Sequence, residues 1–238
     1  MKRWGHMAKT FTKIGKEITI AVKQGGPDVV GNSRLRALMA EARSENMPKD
    51  NVEKAIKRAL EKNQGDFKEV VFEGYGPHGI AYLVETATDN NTRTVANVRS
   101  YFTKCGGSLG TSGSVSFMFD HKCVFRIKYQ EGMDIDELQL ALCECDDDPE
   151  VFIEEQEDKD ENITKNVVIY GAYESYGAIQ KYIEDNGYEL VSGGFERIPN
   201  VELKDVTPEQ RETLDKLTGL LEDDDDVTNV YSTLKPAE

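Results

Sequence analysis

Histidine and cysteine, on which many catalytic and metal sites depend, are scarce in this chain of 238 residues. Its three histidines show no spacing that would pair one of them with a nucleophile and an orienting acid. Its four cysteines include no CxxC pair, and Cys143 and Cys145 lack the second pair that a structural zinc site needs. We therefore predict a non-enzymatic protein with no catalytic residue, no metal ligand and no cofactor.

Long apolar segments are also missing. No apolar run approaches the roughly 18 residues that a membrane-spanning helix requires. Lys2 and Arg3 are not followed by an apolar stretch, so we expect no secretory signal. The cysteines are expected to be reduced, as is usual in the cytoplasm. We expect a cytoplasmic protein that is monomeric and has no membrane partner.

Positive charge is lacking overall but not locally. The net charge is −15, yet residues 1–64 contain 14 Lys or Arg against 7 Asp or Glu. Residues 129–200 contain 4 Lys or Arg against 20 Asp or Glu. A basic segment joined to an acidic body indicates a polyanion as partner of the basic end. The alternative is a solvated helical surface that binds nothing.

The basic segment is predicted to form three amphipathic helices. The first covers residues 8–24 and ends at Gly25-Gly26-Pro27. Asn32 is placed to cap the second helix, and Pro48 is placed to open the third. In each helix the cations lie opposite the apolar stripe. The candidate phosphate contacts are Lys2, Arg3, Lys9, Lys13, Lys16, Lys23, Arg34, Arg36, Arg43, Lys49, Lys54, Lys57 and Arg58.

The rest of the chain is predicted to be α+β. Strands are expected at 69–73, 80–85, 114–119 and 123–129, with a helix at 93–104. The acidic segment is expected to have helices at 134–144 and 174–186 and strands at 151–155, 166–170 and from 188, with a bulge or bend at Gly193-Gly194.

The last 38 residues start with a capping box at Thr207 and are too few to bury a core of their own. We expect this tail to complete the unit that precedes the acidic segment. The sequence thus predicts a three-helix domain (1–64) and two small α+β, ferredoxin-like domains. One of these is split (65–129 with 200–238), and the other is inserted in it (130–199).

The segment Gly106–Gly113 does not match a nucleotide-binding loop, because it follows a helix and enters a strand. Its small residues either form a structural bend or contact a nucleic-acid backbone. The possible cleft contacts are Asn90, Arg93, Ser108, Thr111 and Ser112. The acidic run Asp223–Asp226 lacks the ligand pattern of a calcium loop, which favours a solvated turn.

Several motifs occur in the order known from one family. They are Phe11-Thr12-Lys13-Ile14, Asn46–Asn51, Glu73-Gly74-Tyr75-Gly76-Pro77, Thr88-Asp89-Asn90, Arg93-Thr94-Val95 and Gly106–Val115. Together they resemble the YebC/PmpR family, which includes the mitochondrial translational activator of cytochrome c oxidase subunit I. The resemblance implies three domains, with the third inserted in the second.

The resemblance also implies a regulator of gene expression, for which two interpretations exist. One is a DNA-binding transcriptional regulator. The other is an RNA-binding factor of translation, associated with the ribosome and its rRNA or mRNA. The acidic segment disfavours wrapping on free duplex DNA, so we favour RNA. A protein–protein adaptor, or an enzyme with a cleft site, is a further alternative.

Overall fold

The computed structural model describes residues 2–61, 66–157 and 163–237, without the side chains of residues 2–6, 156 and 157. The helices of these ranges are α1 (Lys2–Gly25), α2 (Ser33–Ser44), α3 (Lys49–Leu60), α4 (Asn91–Lys104), α5 (Ile135–Leu142), α6 (Tyr176–Asp185) and α7 (Pro208–Glu222). The strands are β1 (Lys68–Tyr75), β2 (Ala81–Thr88), β3 (Ser108–Leu109), β4 (Phe119–Lys128), β5 (Glu150–Glu157), β6 (Ile163–Ala172), β7 (Leu190–Pro199) and β8 (Val227–Ser232).

The strands form two four-stranded sheets, so the predicted α+β class is confirmed. The first sheet has the order β3-β1-β2-β8, and the second has the order β5-β6-β4-β7. β1 and β2 are antiparallel, with Phe72 opposite Val84. β8 pairs with β2, so the C-terminal tail extends the first sheet instead of standing alone.

Each sheet covers its apolar face with helices. In the first sheet, Tyr82 packs against Phe102 of α4 and Leu214 of α7 in one buried cluster. In the second sheet, Phe125 of β4 and Ile169 of β6 share a core with the apolar faces of α5 and α6. Burial of these aromatic and branched side chains is the main favourable contribution to folding.

Side-chain caps fix the start of several helices as the sequence indicates. The Asn32 side chain accepts a hydrogen bond from the Leu35 amide at 3.0 Å, and Asn90 caps α4 by accepting one from the Arg93 amide. Thr207 and Gln210 form the predicted capping box of α7. α1 begins earlier than predicted, at Lys2 instead of residue 8. Its start escaped prediction because the apolar period that marks the helix becomes clear only from Phe11.

Two predicted strands differ in the structure. Residues 114–118 form turns that include a short 3-10 helix at Ser116–Met118, and no strand begins there before Phe119. The reason is that the Glu73 carboxylate accepts hydrogen bonds from amides of this segment, which are then unavailable to a sheet. β4, predicted at 123–129 beside the first sheet, instead pairs with β6 of the second sheet.

β7 runs through Gly193 and Gly194 and continues to Pro199, and the bulge or bend predicted there stays a prediction. Gly193 allows a close approach of the neighbouring ring. A Cβ at this position would lie 2.8 Å from Cδ1 of Phe125. The glycine is therefore required by packing on the core and not by a turn.

By compactness the chain divides into two units. The first consists of Met1–Ile20, Lys57–Asp120 and Arg197–Glu238, and the second consists of Ala21–Ile56 and His121–Glu196. The three domain boundaries derived from the sequence stay a prediction. Among the described residues, no helix has both the length and the apolar character needed to cross a membrane.

Candidate nucleic-acid interface

Three lysines of α1, all predicted as phosphate contacts, are directed at the C-terminal end of α7 in the first unit. Lys9 forms an ion pair with Asp223 at 2.5 Å, and Lys13 donates to the carbonyl of Glu222 at 3.3 Å. The pKa of Lys13 is lowered by burial, which outweighs the attraction of Glu222. Cations at the C-terminal end of a helix are favourable because the free carbonyls there carry partial negative charge.

Lys16 is the most enclosed of the three. Its ammonium group donates to Asp226 at 2.8 Å and to the carbonyls of Ala87 and Asp225 at 3.1 and 2.7 Å. The Lys16 side chain is 11% exposed and that of Asp226 is 6% exposed. Because Lys16 has three acceptors and is almost fully buried, it stabilises the fold and is poorly placed to bind a phosphate.

Asp226 also binds α4. Its second carboxylate oxygen accepts hydrogen bonds from Arg93 at 2.7 Å and from the Thr94 hydroxyl at 2.9 Å. Burial raises the pKa of Asp226, but the hydrogen bonds from Lys16, Arg93 and Thr94 outweigh it and hold the pKa below its ordinary value. Arg93, predicted as a cleft contact, is thus engaged with Asp226 and, at 3.2 Å, with Asp89.

The acidic run at 223–226 is therefore not a simple solvated turn. Asp224 is buried and accepts hydrogen bonds from the Tyr101 hydroxyl at 2.9 Å and from the Asn97 amide at 3.1 Å. Burial and the bond to Asp224 raise the pKa of Tyr101 to about 12. The run joins the end of α7 to α1 and α4, a role that sequence spacing alone did not reveal.

The loop of small residues is organised from inside by Glu73. Its carboxylate, which is buried, accepts hydrogen bonds from the amides of Gly113, Val115 and Ser116 at 2.7–2.8 Å. Burial raises the pKa of Glu73, but these amides outweigh it and lower the pKa. The amides of Gly113, Val115 and Ser116 are thus already bonded to a carboxylate of the protein itself. Three residues of this loop were predicted as contacts and are exposed: Ser108, Thr111 and Ser112.

In the second unit, Arg36 of α2 is fully engaged. Its guanidinium binds the Glu184 carboxylate through two nitrogens, at 2.8 and 3.2 Å. The remaining terminal nitrogen donates to the carbonyls of Val29 and Val30 at 2.9 and 2.6 Å. This planar fork ties the turn before α2 to α6, so Arg36 has a structural role.

The other predicted cations of the basic segment differ in their contacts. Arg34 donates to Gln24 at 3.2 Å, and Lys23 is exposed at the end of α1. Arg58 stacks over the Phe67 ring, 4.4 Å from its centroid. The side chains of Lys2 and Arg3 lie outside the described residues.

Three predicted cations around the turn between α2 and α3 are exposed, and within the described residues they form no ion pair. Arg43 and Lys49 flank this turn, and Lys54 follows on α3; Lys57, also exposed on α3, belongs to the first unit. The carboxylates of Glu45, Asp50 and Glu53 are also exposed on this segment, so its surface is mixed in charge. We call Arg43, Lys49 and Lys54 the α2–α3 cations. They are exposed and therefore available to a ligand.

No group of His, Cys, Asp and Glu in the described ranges is arranged to hold a metal ion. His78 lies in the β1–β2 connection, with a left-handed backbone, and His121 stacks on Tyr173. Burial raises the pKa of the Cys123 thiol to about 11, and Asp146 adds to this effect.

Comparison with known families explains the motifs that the sequence displays. The model of the TACO1/YebC protein N-terminal domain matches residues 1–62, and the model of the TACO1/YebC second and third domain matches residues 67–234. The chain belongs to the TACO1/YebC family. The resemblance found in the sequence is thereby confirmed.

Relatives of this TACO1/YebC chain match it over its whole length. A protein of Parabacteroides distasonis is 58% identical over 98% of this chain and 92% of its own length. One of Bacteroides thetaiotaomicron is 57% identical over 100% of this chain and 93% of its own. Both are named probable transcriptional regulatory protein.

The fold of this family member is similar to that of a protein with a crystal structure. A conserved hypothetical protein from Aquifex aeolicus superposes with a TM-score of 0.78 at 32% identity. The match covers 97% of this chain and 91% of the other. The arrangement of helices and two sheets is therefore that of the family.

Proposed function

We propose that this chain is a non-enzymatic regulator of gene expression that binds RNA at or near the ribosome, as a monomer in the cytoplasm. The observation that carries the proposal is that the α2–α3 cations are exposed and have no ion-pair partner in the part of the chain that the structure describes. Such cations bind phosphates and release counterions, which gives affinity with little reading of sequence. The regulatory role is supported by the name shared by relatives that are 57–58% identical.

RNA is favoured over duplex DNA by the small number of cations that remain available. The internal contacts of Lys9, Lys13, Lys16 and Arg36 remove four predicted contacts from any continuous basic surface. Duplex DNA presents a long, dense row of phosphates, and many contacts are needed to compete with its counterions. A short RNA segment within a larger assembly needs fewer contacts. Binding to operator DNA is the alternative, and the name of the relatives favours it.

Crosslinking in cells tests the proposal. The wild-type protein is irradiated, purified under denaturing conditions, and the attached nucleic acid is digested with RNase or DNase and sequenced. RNase-sensitive crosslinks that map to rRNA or mRNA would support the proposal. DNase-sensitive crosslinks would establish the alternative, and protein crosslinks that survive both nucleases would favour an adaptor.

The matched variants make this test specific for the α2–α3 cations. The test variant combines Arg43→Glu, Lys49→Glu and Lys54→Glu. The control is Lys181→Glu, which reverses an exposed cation on α6 of the same unit. Crosslinks lost from the test variant and kept by the control support these residues as the contact.

A further inference from the structure

An aromatic cluster reaches the surface of the second unit at Tyr173. The Tyr173 ring stacks on the His121 ring with centroids 4.4 Å apart and planes 29° apart. Phe195 lies against both, 4.7 Å from Tyr173 and 5.5 Å from His121. Although three rings meet here, Tyr173 keeps 45% of its surface exposed. An exposed ring stacked on a second ring is a preformed flat platform.

The platform is supported by the buried core of the same unit. Phe195 contacts Tyr176 with centroids 4.8 Å apart, and Tyr176 contacts Phe125 at the same distance. Tyr176 is 8% exposed and Phe125 is fully buried. The outer rings are therefore fixed by packing, so little conformational entropy is lost when a planar ligand stacks on them.

Cations of α2 lie near the inner end of this cluster. Arg34 and Arg36 are close enough to Tyr176 to lower the pKa of its hydroxyl, although burial outweighs them and the pKa is raised. The Tyr176 hydroxyl itself has no hydrogen-bond partner among the described residues. Near the platform, by contrast, Glu174 is exposed and negative. A phosphate is thus disfavoured at the platform itself, whereas a neutral ring face is not.

We propose that Tyr173 and His121 form a stacking site for an unpaired nucleobase of the RNA that the α2–α3 cations hold. This inference rests on the proposed function and adds to it the class of RNA bound, a segment with at least one base free of pairing. Every base presents a flat π face, so stacking of this kind is tolerant of sequence. It complements phosphate contacts, which also do not distinguish bases.

The test uses a short single-stranded RNA with 2-aminopurine at one position, whose fluorescence is quenched on stacking. Tyr173→Leu removes the ring, Tyr173→Phe keeps it, and Tyr188→Leu removes a half-buried ring elsewhere in the unit as the control. We expect Tyr173→Leu to weaken binding roughly tenfold and to abolish the quenching. Tyr173→Phe and Tyr188→Leu should stay within about twofold of wild type. Far-UV circular dichroism verifies that each variant is folded.

A second RNA that is abasic at the same position separates stacking from general damage. If stacking occurs, wild type and Tyr173→Leu should bind the abasic RNA equally. An equal loss on both RNAs, or unchanged quenching in Tyr173→Leu, would overturn the stacking site. Binding that depends on Arg43, Lys49 and Lys54 but not on Tyr173 would leave the proposed function standing without this inference. An absence of RNA binding by the wild type would overturn both.

Discussion

Lys16 and Asp226 form an ion pair of 2.8 Å between α1 and the end of α7, and both side chains are almost enclosed. Two residues 210 positions apart in sequence are thus joined at a site where Arg93 and Thr94 of α4 also meet. A carboxylate that accepts hydrogen bonds from a lysine, an arginine and a threonine is held in its ionised form. The pair shows that the cations of a basic helix can form ion pairs with acidic groups of the same protein.

Removing the carboxylate at this junction should destabilise the fold. Asp226→Asn leaves Lys16 charged and enclosed without its counter-ion, which typically costs about 3 kcal/mol. Asp225→Asn is the matched control, because Asp225 is exposed and only its carbonyl contacts Lys16, and it should change stability by less than about 0.5 kcal/mol. Urea unfolding of both variants measures the difference, and equal midpoints would contradict the structural role of Asp226.

Glu73 should make the folded protein less stable at low pH. Because its pKa is lowered in the folded state, its contribution is present above the ordinary pKa of 4.5 and is lost as the pH falls through the folded value. Glu73→Gln should cost about 2 kcal/mol or more at pH 7, since one amide oxygen cannot replace a carboxylate that accepts three backbone bonds. The variant should also lose stability less steeply than wild type below pH 4.5. The control Glu202→Gln, at an exposed site, should leave the thermal melting curves unchanged.

Glu41 should change the pH dependence of stability in the direction opposite to that of Glu73. Burial, aided by Glu45, raises the pKa of Glu41 to about 7, against the ordinary value of 4.5. The folded state therefore holds a proton that the unfolded state releases, so stability falls as the pH rises from 4.5 to 7. Glu41→Gln should stabilise the protein by on the order of 2 kcal/mol at pH 8, and less at pH 5.5. A gain that is equal at both pH values, measured by urea unfolding, would contradict this assignment; Glu53→Gln on the surface of α3 is the control.

Two arginines of α2 should respond in opposite ways to the same substitution. Arg36→Met removes the bonds to Glu184 and to two carbonyls and should cost about 2 kcal/mol of stability. At a temperature where it is folded, its affinity for RNA should stay within about twofold of wild type. Arg43→Met should keep its stability within about 0.5 kcal/mol, because Arg43 is exposed. Its RNA affinity should fall several-fold. The reverse pattern in melting and anisotropy measurements would show that Arg36 is the phosphate contact.

The sequence predicted the structural features that depend on residues close together in the chain. Asn32 and Thr207 were recognisable because a cap and its helix lie within a few residues of each other. The apolar periods likewise gave the helices and most strands. The family motifs identified the family, which periodicity alone does not reveal.

What the sequence did not reveal depends on residues far apart. The Glu73 carboxylate accepts hydrogen bonds from the amides of Gly113, Val115 and Ser116, some 40 positions later, so a segment with the composition of a strand forms a turn. From the sequence, all cations of the basic helices were predicted to be available to a ligand. Helical spacing identifies the polar face of a helix, but it does not identify the residues that pack against that face. Asp223, Asp226 and Glu184 lie more than 140 residues from the cations that they bind.

The salt dependence of RNA binding tests the central claim most directly. Fluorescence anisotropy with a short single-stranded RNA, over a series of salt concentrations, gives the slope of log affinity against log salt. If Arg43, Lys49 and Lys54 each neutralise a phosphate, reversing all three should make the slope shallower by about 2, while Lys181→Glu leaves it unchanged. An unchanged slope in the triple variant, with RNA still bound, would show that the α2–α3 cations are not the contact.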